Sequence, residues 1–234
     1  MLNLFHSIAW RLRAAVNPQM AVIAGVRLNC DKAKMPAGIR RHLFKGIYEE
    51  IERDLVLRIL KPGMRTLEIG TGIGFISILA TKLCGAGYVR SFEANVKLEP
   101  IIRENYELNG LVPDLTMKAV TVDGIPVTFF RDENILSSSL IDRQRNDVKM
   151  EVPSVAFSDI VEKFDPEVLL MDVEGAEVDL LVESLGNIQH IIVELHPHVV
   201  GVEKIEGLKN NLRRRGFQVV ENDRKTFYFR RNIN

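Results

Sequence analysis

Cysteine and tryptophan are scarce in this chain of 234 residues, which has two of the first and one of the second. Cys30 and Cys84 lie far apart and form no CxxC pair, which excludes a disulfide framework and a cysteine-ligated zinc site and suits a reducing cytoplasm. Net charge is lacking too. The 31 basic residues balance the 31 acidic ones, so no long-range field draws the protein to nucleic acid or to an anionic membrane. No stretch approaches the roughly 18 to 20 apolar residues of a membrane span. Residues 2–16 bring Leu4, Phe5, Ile8, Leu12 and Ala15 to one helical face, and Arg11 and Arg13 interrupt any signal-peptide pattern. That helix is expected to pack on its own domain or on a sister subunit, with a lid or a weak membrane-surface contact as the alternative. Internal repeats and low-complexity tracts are absent.

What is present is length enough for one large core, 46% hydrophobic content and a regular alternation. Residues 1–60 read as an N-terminal accessory or lid segment and 61–234 as the main domain. From about residue 64 short apolar runs alternate with longer amphipathic ones, the signature of βαβ units around a mostly parallel sheet with helices on both faces. The expected strands are 65–70, 88–94, 115–120, 167–173 and 190–196, with an extra strand at 125–130 and a surface loop over 131–150. "FQVV" and "TFYFRR" flank the turn-like "ENDRK", so the sheet is expected to close with an antiparallel hairpin.

The run Glu68-Ile69-Gly70-Thr71-Gly72-Ile73-Gly74-Phe75 sits between the first strand and its helix. In an open α/β sheet that loop floors the ligand crevice, and bare glycine lets a ligand approach the backbone. A dinucleotide loop needs a third glycine at position 75, which is Phe75. A phosphate-cradling loop needs Gly-Lys-Ser/Thr, and no lysine occurs between Lys61 and Lys82. What remains, E-x-G-x-G-x-G, resembles the first motif of the Rossmann-like methyltransferases that bind S-adenosylmethionine. Glu93, 19 residues beyond Gly74, ends the second strand where a carboxylate can accept both hydroxyls of an adenosine ribose.

Further strings narrow the resemblance: "MDVEGAEVDLL" after the fourth strand, "VELHP" after the fifth, "GIYEEIERDLVLRILKPG" at 46–63 and "NYELNG" at 105–110. Over roughly residues 38–200 the chain resembles the FkbM family of methyltransferases. It departs from the family at Glu68, at Thr71-Gly72 and at Ala94, where an aspartate, an Ala-Asn pair and a proline are usual. The resemblance implies the class I methyltransferase fold, S-adenosylmethionine as cofactor, and methylation of a hydroxyl on a small molecule, sugar, glycolipid or secondary metabolite. It implies a cofactor site of Glu68, Gly70, Thr71, Gly72, Gly74, Phe75, Glu93, Ala94, Val120 and Asp172, with Tyr48 of the "G-x-Y-E" string over its methionine end.

An alcohol is a poor nucleophile until its proton is being removed, so a base is expected at the strand ends. Asp172, Glu174 and His196 are the candidates, with Glu194 and His198 beside them. Two carboxylates and two histidines there offer a divalent-cation alternative, and no metal is assigned. Asp172-Val173-Glu174-Gly175 stands where a base-methylating enzyme would carry an N/D-P-P-Y/F string, which favours a hydroxyl acceptor over RNA or another nitrogen acceptor. A non-catalytic scaffold is the remaining alternative.

Overall fold

The computed structural model describes residues 16, 18–131, 138–139 and 148–232. The N-terminal helix expected over 2–16 lies outside them, apart from Val16.

The chain opens with a hairpin, β1 (Met20–Ile23) and β2 (Val26–Asn29), joined by Ala24 and Gly25, both at positive φ as a two-residue hairpin turn requires. Two amphipathic helices follow, α1 (Ala37–Lys45) and α2 (Glu50–Ile59). The βαβ region then runs β3 (Thr66–Ile69), α3 (Phe75–Cys84), β4 (Val89–Phe92), α4 (Glu99–Leu108) and β5 (Leu115–Thr116). Next come β6 (Ala119–Thr121), β7 (Val127–Arg131), β8 (Ser138–Ser139), β9 (Val148–Val152) and β10 (Ser154–Ala156). The remainder is α5 (Phe157–Phe164), β11 (Val168–Met171), α6 (Glu177–Leu180), β12 (His190–Glu194), α7 (Pro197–Val200), α8 (Val202–Arg214), β13 (Phe217–Asp223) and β14 (Thr226–Arg231).

Seven strands form the central sheet in the order β13-β14-β12-β11-β3-β4-β5. All neighbours from β12 to β5 are parallel, and β14 pairs antiparallel with both β12 and β13, as the terminal hairpin signal requires. This is the class I methyltransferase sheet. The chain runs outward from β3 through β4 to β5 and then returns to β11 on the other side of β3, which sets the topological switch point between β3 and β11.

Both faces of the sheet are buried, so its strands read as continuous apolar runs. One face carries Leu170 and Ile192 and packs under the N-terminal hairpin and α1 to α4; the other carries Leu67, Leu169 and Ile191 and packs under α5, α6 and α8. Residues from Ile23 to Leu60 therefore share one core with α3 and α4. The "NYELNG" string supplies their clamps. Asn105 accepts from the Asn29 amide at 2.7 Å and donates to the Ile73 carbonyl at 2.8 Å, tying the first hairpin to the glycine loop. Asn109 makes a two-way pair with the Arg27 backbone at 3.0 and 2.7 Å.

Two expectations about the middle of the chain need correction. The expected strand 115–120 is broken: Lys118 N–H turns back onto the Thr116 carbonyl at 3.0 Å, and β6 leaves the main sheet to pair in parallel with β10. The expected surface loop 131–150 contains β8 and the start of β9, which flank β7 in a three-stranded antiparallel sheet. Val148, Met150 and Val152 alternate with Lys149 and Glu151, so a period of two was present beside the serine-rich stretch that masked it. The rest of that expected loop, 132–137 and 140–147, lies outside the described residues.

Candidate active site

The parallel register places the site. Met171 pairs with both Ile69 and Val193, so the residues after them, Asp172, Gly70 and Glu194, end their strands abreast. Phe92 pairs with Ile69 in turn, which adds Glu93 to the row. Three carboxylates and one glycine thus share the carboxyl edge of the sheet at its switch point.

Gly70 has no alternative. At φ +89° a Cβ would lie 1.8 Å from the Asp172 backbone oxygen, so any side chain would force the β3–β11 seam apart. Gly72 (φ +58°) and Gly74 (φ +84°) continue the left-handed path into α3. Glu93 holds this loop: its Oε2 accepts from the amides of Thr71 and Gly72, both at 3.0 Å, and its Oε1 accepts from the Asn95 amide at 2.8 Å. Burial pushes its carboxyl upward while those amides pull it down. Oε1 retains a lone pair for a ligand hydroxyl.

Above this floor opens a cleft with an empty volume of about 830 Å³. Of the sequence-derived candidates it is lined by Tyr48, Gly70, Gly72, Glu93, Ala94, Val120, Asp172 and Glu174. Glu68 and Thr71 line an adjoining cavity, with Asp172 common to both. Phe75 and Gly74 are buried behind the wall, where Phe75 supports the Tyr48 ring at 6.1 Å between centroids. His196 lines neither cavity; it stands fully buried behind the acidic groups.

Those acidic groups converge on the His196 ring. Nε2 lies 3.0 Å from Glu194 Oε1 and 3.6 Å from both Asp172 Oδ1 and Glu174 Oε2. Glu174 reaches it because its backbone takes a left-handed turn, φ +53°, before Gly175. On the far side Nδ1 meets Glu177 Oε1 at 3.2 Å, and the same oxygen accepts from the His196 amide at 2.8 Å. Glu177 Oε2 accepts from the Gly175 amide at 2.7 Å. Burial works against the Glu177 charge, but the bonds from His196 and the backbone outweigh it and hold the carboxyl below its usual range. A charged Glu177 takes the Nδ1 proton and leaves Nε2 facing the cleft side. Burial lowers the His196 pKa, but the Glu177 bond and the charges of Asp172, Glu177 and Glu174 raise it further, above the ordinary value.

Asp172 exposes 51% of its side chain toward the cleft, and the protein packed around its carboxyl still pushes it up to about 6 against the pull of His196. Lys225, at the tip of the terminal hairpin, pairs with Glu194 Oε1. His198 is exposed and meets the His196 ring edge-on at 5.7 Å.

Three residues here were not singled out from sequence. Glu177 lies inside the quoted D-V-E-G-A-E string, but an acid in the first turn of a helix is an ordinary feature, and only the fold brings it to His196. Glu49 follows Tyr48 in the quoted G-x-Y-E; it hydrogen-bonds the Tyr48 side chain, and burial, first among its causes, raises its carboxyl well above the usual range. Lys225 carried no signal beyond a turn.

Arg213, Arg214 and Arg215, a run of three cations that could suggest an RNA contact, have ordinary partners or positions. Arg215 donates to the carbonyls of Leu181 and Glu183 at 2.9 and 2.6 Å, Arg213 donates to Asn210 at 2.7 Å, and Arg214 ends α8. Among the described residues no helix is long and apolar enough to cross a membrane.

Comparison with known proteins agrees with this geometry. Residues 68–219 match the methyltransferase FkbM domain, and the chain belongs to that family. Among curated proteins it is similar to the ribosomal protein L11 methyltransferase of Dictyoglomus thermophilum, 33% identical over 69 residues, covering 30% of this chain and 23% of that protein. The corresponding enzyme of Caldanaerobacter subterraneus is 45% identical over 53 residues, covering 23% of this chain and 17% of that protein. The chain thus spans less than a quarter of the length of these curated relatives. Among solved structures it is similar to magnesium protoporphyrin IX methyltransferase from Synechocystis PCC 6803 with bound SAM, with TM-score 0.49, 12% identity, and 85% and 86% of the two chains covered.

Proposed function

We propose that the protein transfers a methyl group from S-adenosylmethionine to a hydroxyl of a small molecule or glycan. The observation that carries this reading is the convergence of Asp172, Glu174 and Glu194 on His196 Nε2 beside the Gly70 floor, a proton-accepting cluster at the switch point of the sheet.

The residues fit the donor. Bare backbone at Gly70 and Gly72 borders the cleft, Glu93 presents a carboxylate oxygen with a lone pair for a ribose hydroxyl, and Ala94 and Val120 offer apolar wall for a base. Tyr48 lines the same cleft from the N-terminal side. Once bound, S-adenosylmethionine supplies a methyl group on a positively charged sulfur, which needs no protonation to leave. The chain's own work is then alignment and proton removal. Glu177 fixes the His196 ring, and the Nε2 side of the cluster receives the acceptor's hydroxyl proton. Asp172 and Glu174 line the cleft and share the burden of holding that proton. Carboxylates at this edge also favour a cationic sulfonium over the neutral thioether left after transfer, which assists product release.

The test is incubation with isotopically labelled donor and a panel of glycans, lipids and hydroxylated metabolites, read by mass spectrometry for a labelled CH₃ on oxygen. Labelling confined to RNA or to a protein amine would refute the hydroxyl reading. Absence of calorimetric heat with the donor would favour the scaffold.

A further inference from the structure

Nε2 of His196 can give one proton, yet three carboxylates face it at 3.0 to 3.6 Å. With Nδ1 committed to Glu177, the ring has no means of serving the other two. Among the described residues, Asp172, Glu177 and Glu194 face only Lys225 and a fully protonated His196, so negative charge exceeds positive by one. Like charges packed this closely repel strongly unless a cation lies among them.

The ligand atoms are placed to hold one. Single donor atoms of Asp172, Glu194 and His196 all lie within 4.8 Å of one another, a spacing that lets one ion touch all three at ordinary oxygen and imidazole distances. The buried Glu177 behind His196 plays the part of an outer carboxylate that orients a metal-binding imidazole. A separate observation points to unmet ligand-binding capacity beside it. Asp172 and Glu194 also line the adjoining cavity, where Glu68, only 3% exposed, turns a carboxylate oxygen that has no hydrogen-bond partner among the described residues.

We infer that Asp172, Glu194 and His196 form a divalent-cation site at the carboxyl ends of β11 and β12, taking a metal such as Mn²⁺ that accepts mixed oxygen and imidazole donors. Lys225 is its built-in competitor. Its ammonium pairs with Glu194 Oε1, the side chain is 51% exposed, and it can swing outward when an ion enters. With the cation in place His196 Nε2 serves as ligand and Glu174 becomes the group that takes the acceptor's proton, from a hydroxyl that the ion has made more acidic. The site stands on its ligand geometry alone and does not depend on which acceptor is methylated.

The experiment is a titration of chelator-stripped protein with MnCl₂ in the absence of methyl donor, followed by calorimetry and by the electron paramagnetic resonance of free Mn²⁺. One site saturating below about 5 mM is expected. Glu194→Gln and Asp172→Asn each weaken it by roughly tenfold or more, whereas Lys225→Ala tightens it. Lys225→Ala leaves the ligands intact, so it keeps the test meaningful if a ligand variant fails to fold. Failure of both the wild type and Lys225→Ala to bind at that concentration overturns the site. Binding undiminished in folded Asp172→Asn and Glu194→Gln overturns its location. Methylation assays are separate, so loss of the hydroxyl-transfer reading would leave this result standing.

Discussion

Glu177 Oε1 accepts two hydrogen bonds from a single residue, the His196 amide at 2.8 Å and its ring Nδ1 at 3.2 Å. One carboxylate therefore fixes both the backbone and the ring of the histidine 19 positions later. Glu177→Gln keeps the size of the side chain but removes the charge that holds the Nδ1 proton, and with its oxygen toward His196 it turns an NH₂ onto the Gly175 amide, which Oε2 now accepts from at 2.7 Å. Turnover should fall roughly 10- to 100-fold with donor affinity little changed, since such supports act through orientation. Kinetics paired with calorimetry check this, and wild-type turnover in the variant would show that the ring is held by packing alone.

Asp172→Asn and Glu174→Gln remove charge at the cleft mouth without removing bulk. Each should retain S-adenosylmethionine binding within about threefold while losing turnover, by up to about 10²–10⁴-fold for whichever group carries the acceptor proton. Full activity in both would take these carboxylates out of the reaction.

Glu68 makes stability depend on pH. Burial, opposed by bonds from Ser91, Thr71 and Ser77, raises its carboxyl from 4.5 to about 7. The folded chain thus keeps a proton that the unfolded chain releases. Stability from this group is fully present below about pH 4.5 and is lost as pH rises to about 7, by about 3 kcal/mol in all. Glu68→Gln should flatten that slope and be the more stable protein at pH 8. Urea unfolding of both proteins from pH 5 to 8 gives the comparison, and parallel curves would place the titration elsewhere.

Gly70→Ala should be among the most damaging single changes. The added carbon would meet the Asp172 carbonyl in a backbone conformation that alanine resists, at a cost of about 3 kcal/mol or more. A midpoint of denaturation close to wild type would mean that the β3–β11 seam yields more readily than its register suggests.

The sequence carried the parts of this architecture whose causes are local. Three glycines in alternate positions, an acid at the end of the next strand, period changes between two and 3.6, and a turn between two β-rich runs each have a nearby physical reason, and the fold follows them. The site was legible as a set of residues: Gly70, Glu93, Asp172 and Glu174 all border the cleft. Their partnerships were not. Nothing near Glu177 distinguishes it from a helix-start acid, and its bond to His196 exists only once β11 and β12 lie in register. The break at Lys118 escaped notice because β6 finds its partner in β10, more than thirty residues onward, and propensity alone does not choose between partners. Glu49 likewise owes its raised carboxyl first to burial and then to the charges of Glu52, Glu68 and Asp172, which only the folded chain brings near it.

The terminal hairpin has a consequence for how the protein is made. β14 occupies the position between β12 and β13, and its neighbouring turn delivers Lys225 to Glu194. A nascent chain still short of residue 225 leaves one side of β12 bare, and the acidic rim lacks its lysine. Pairing along the outer side of β12 and delivery of that lysine therefore both wait on synthesis of residues 225–231.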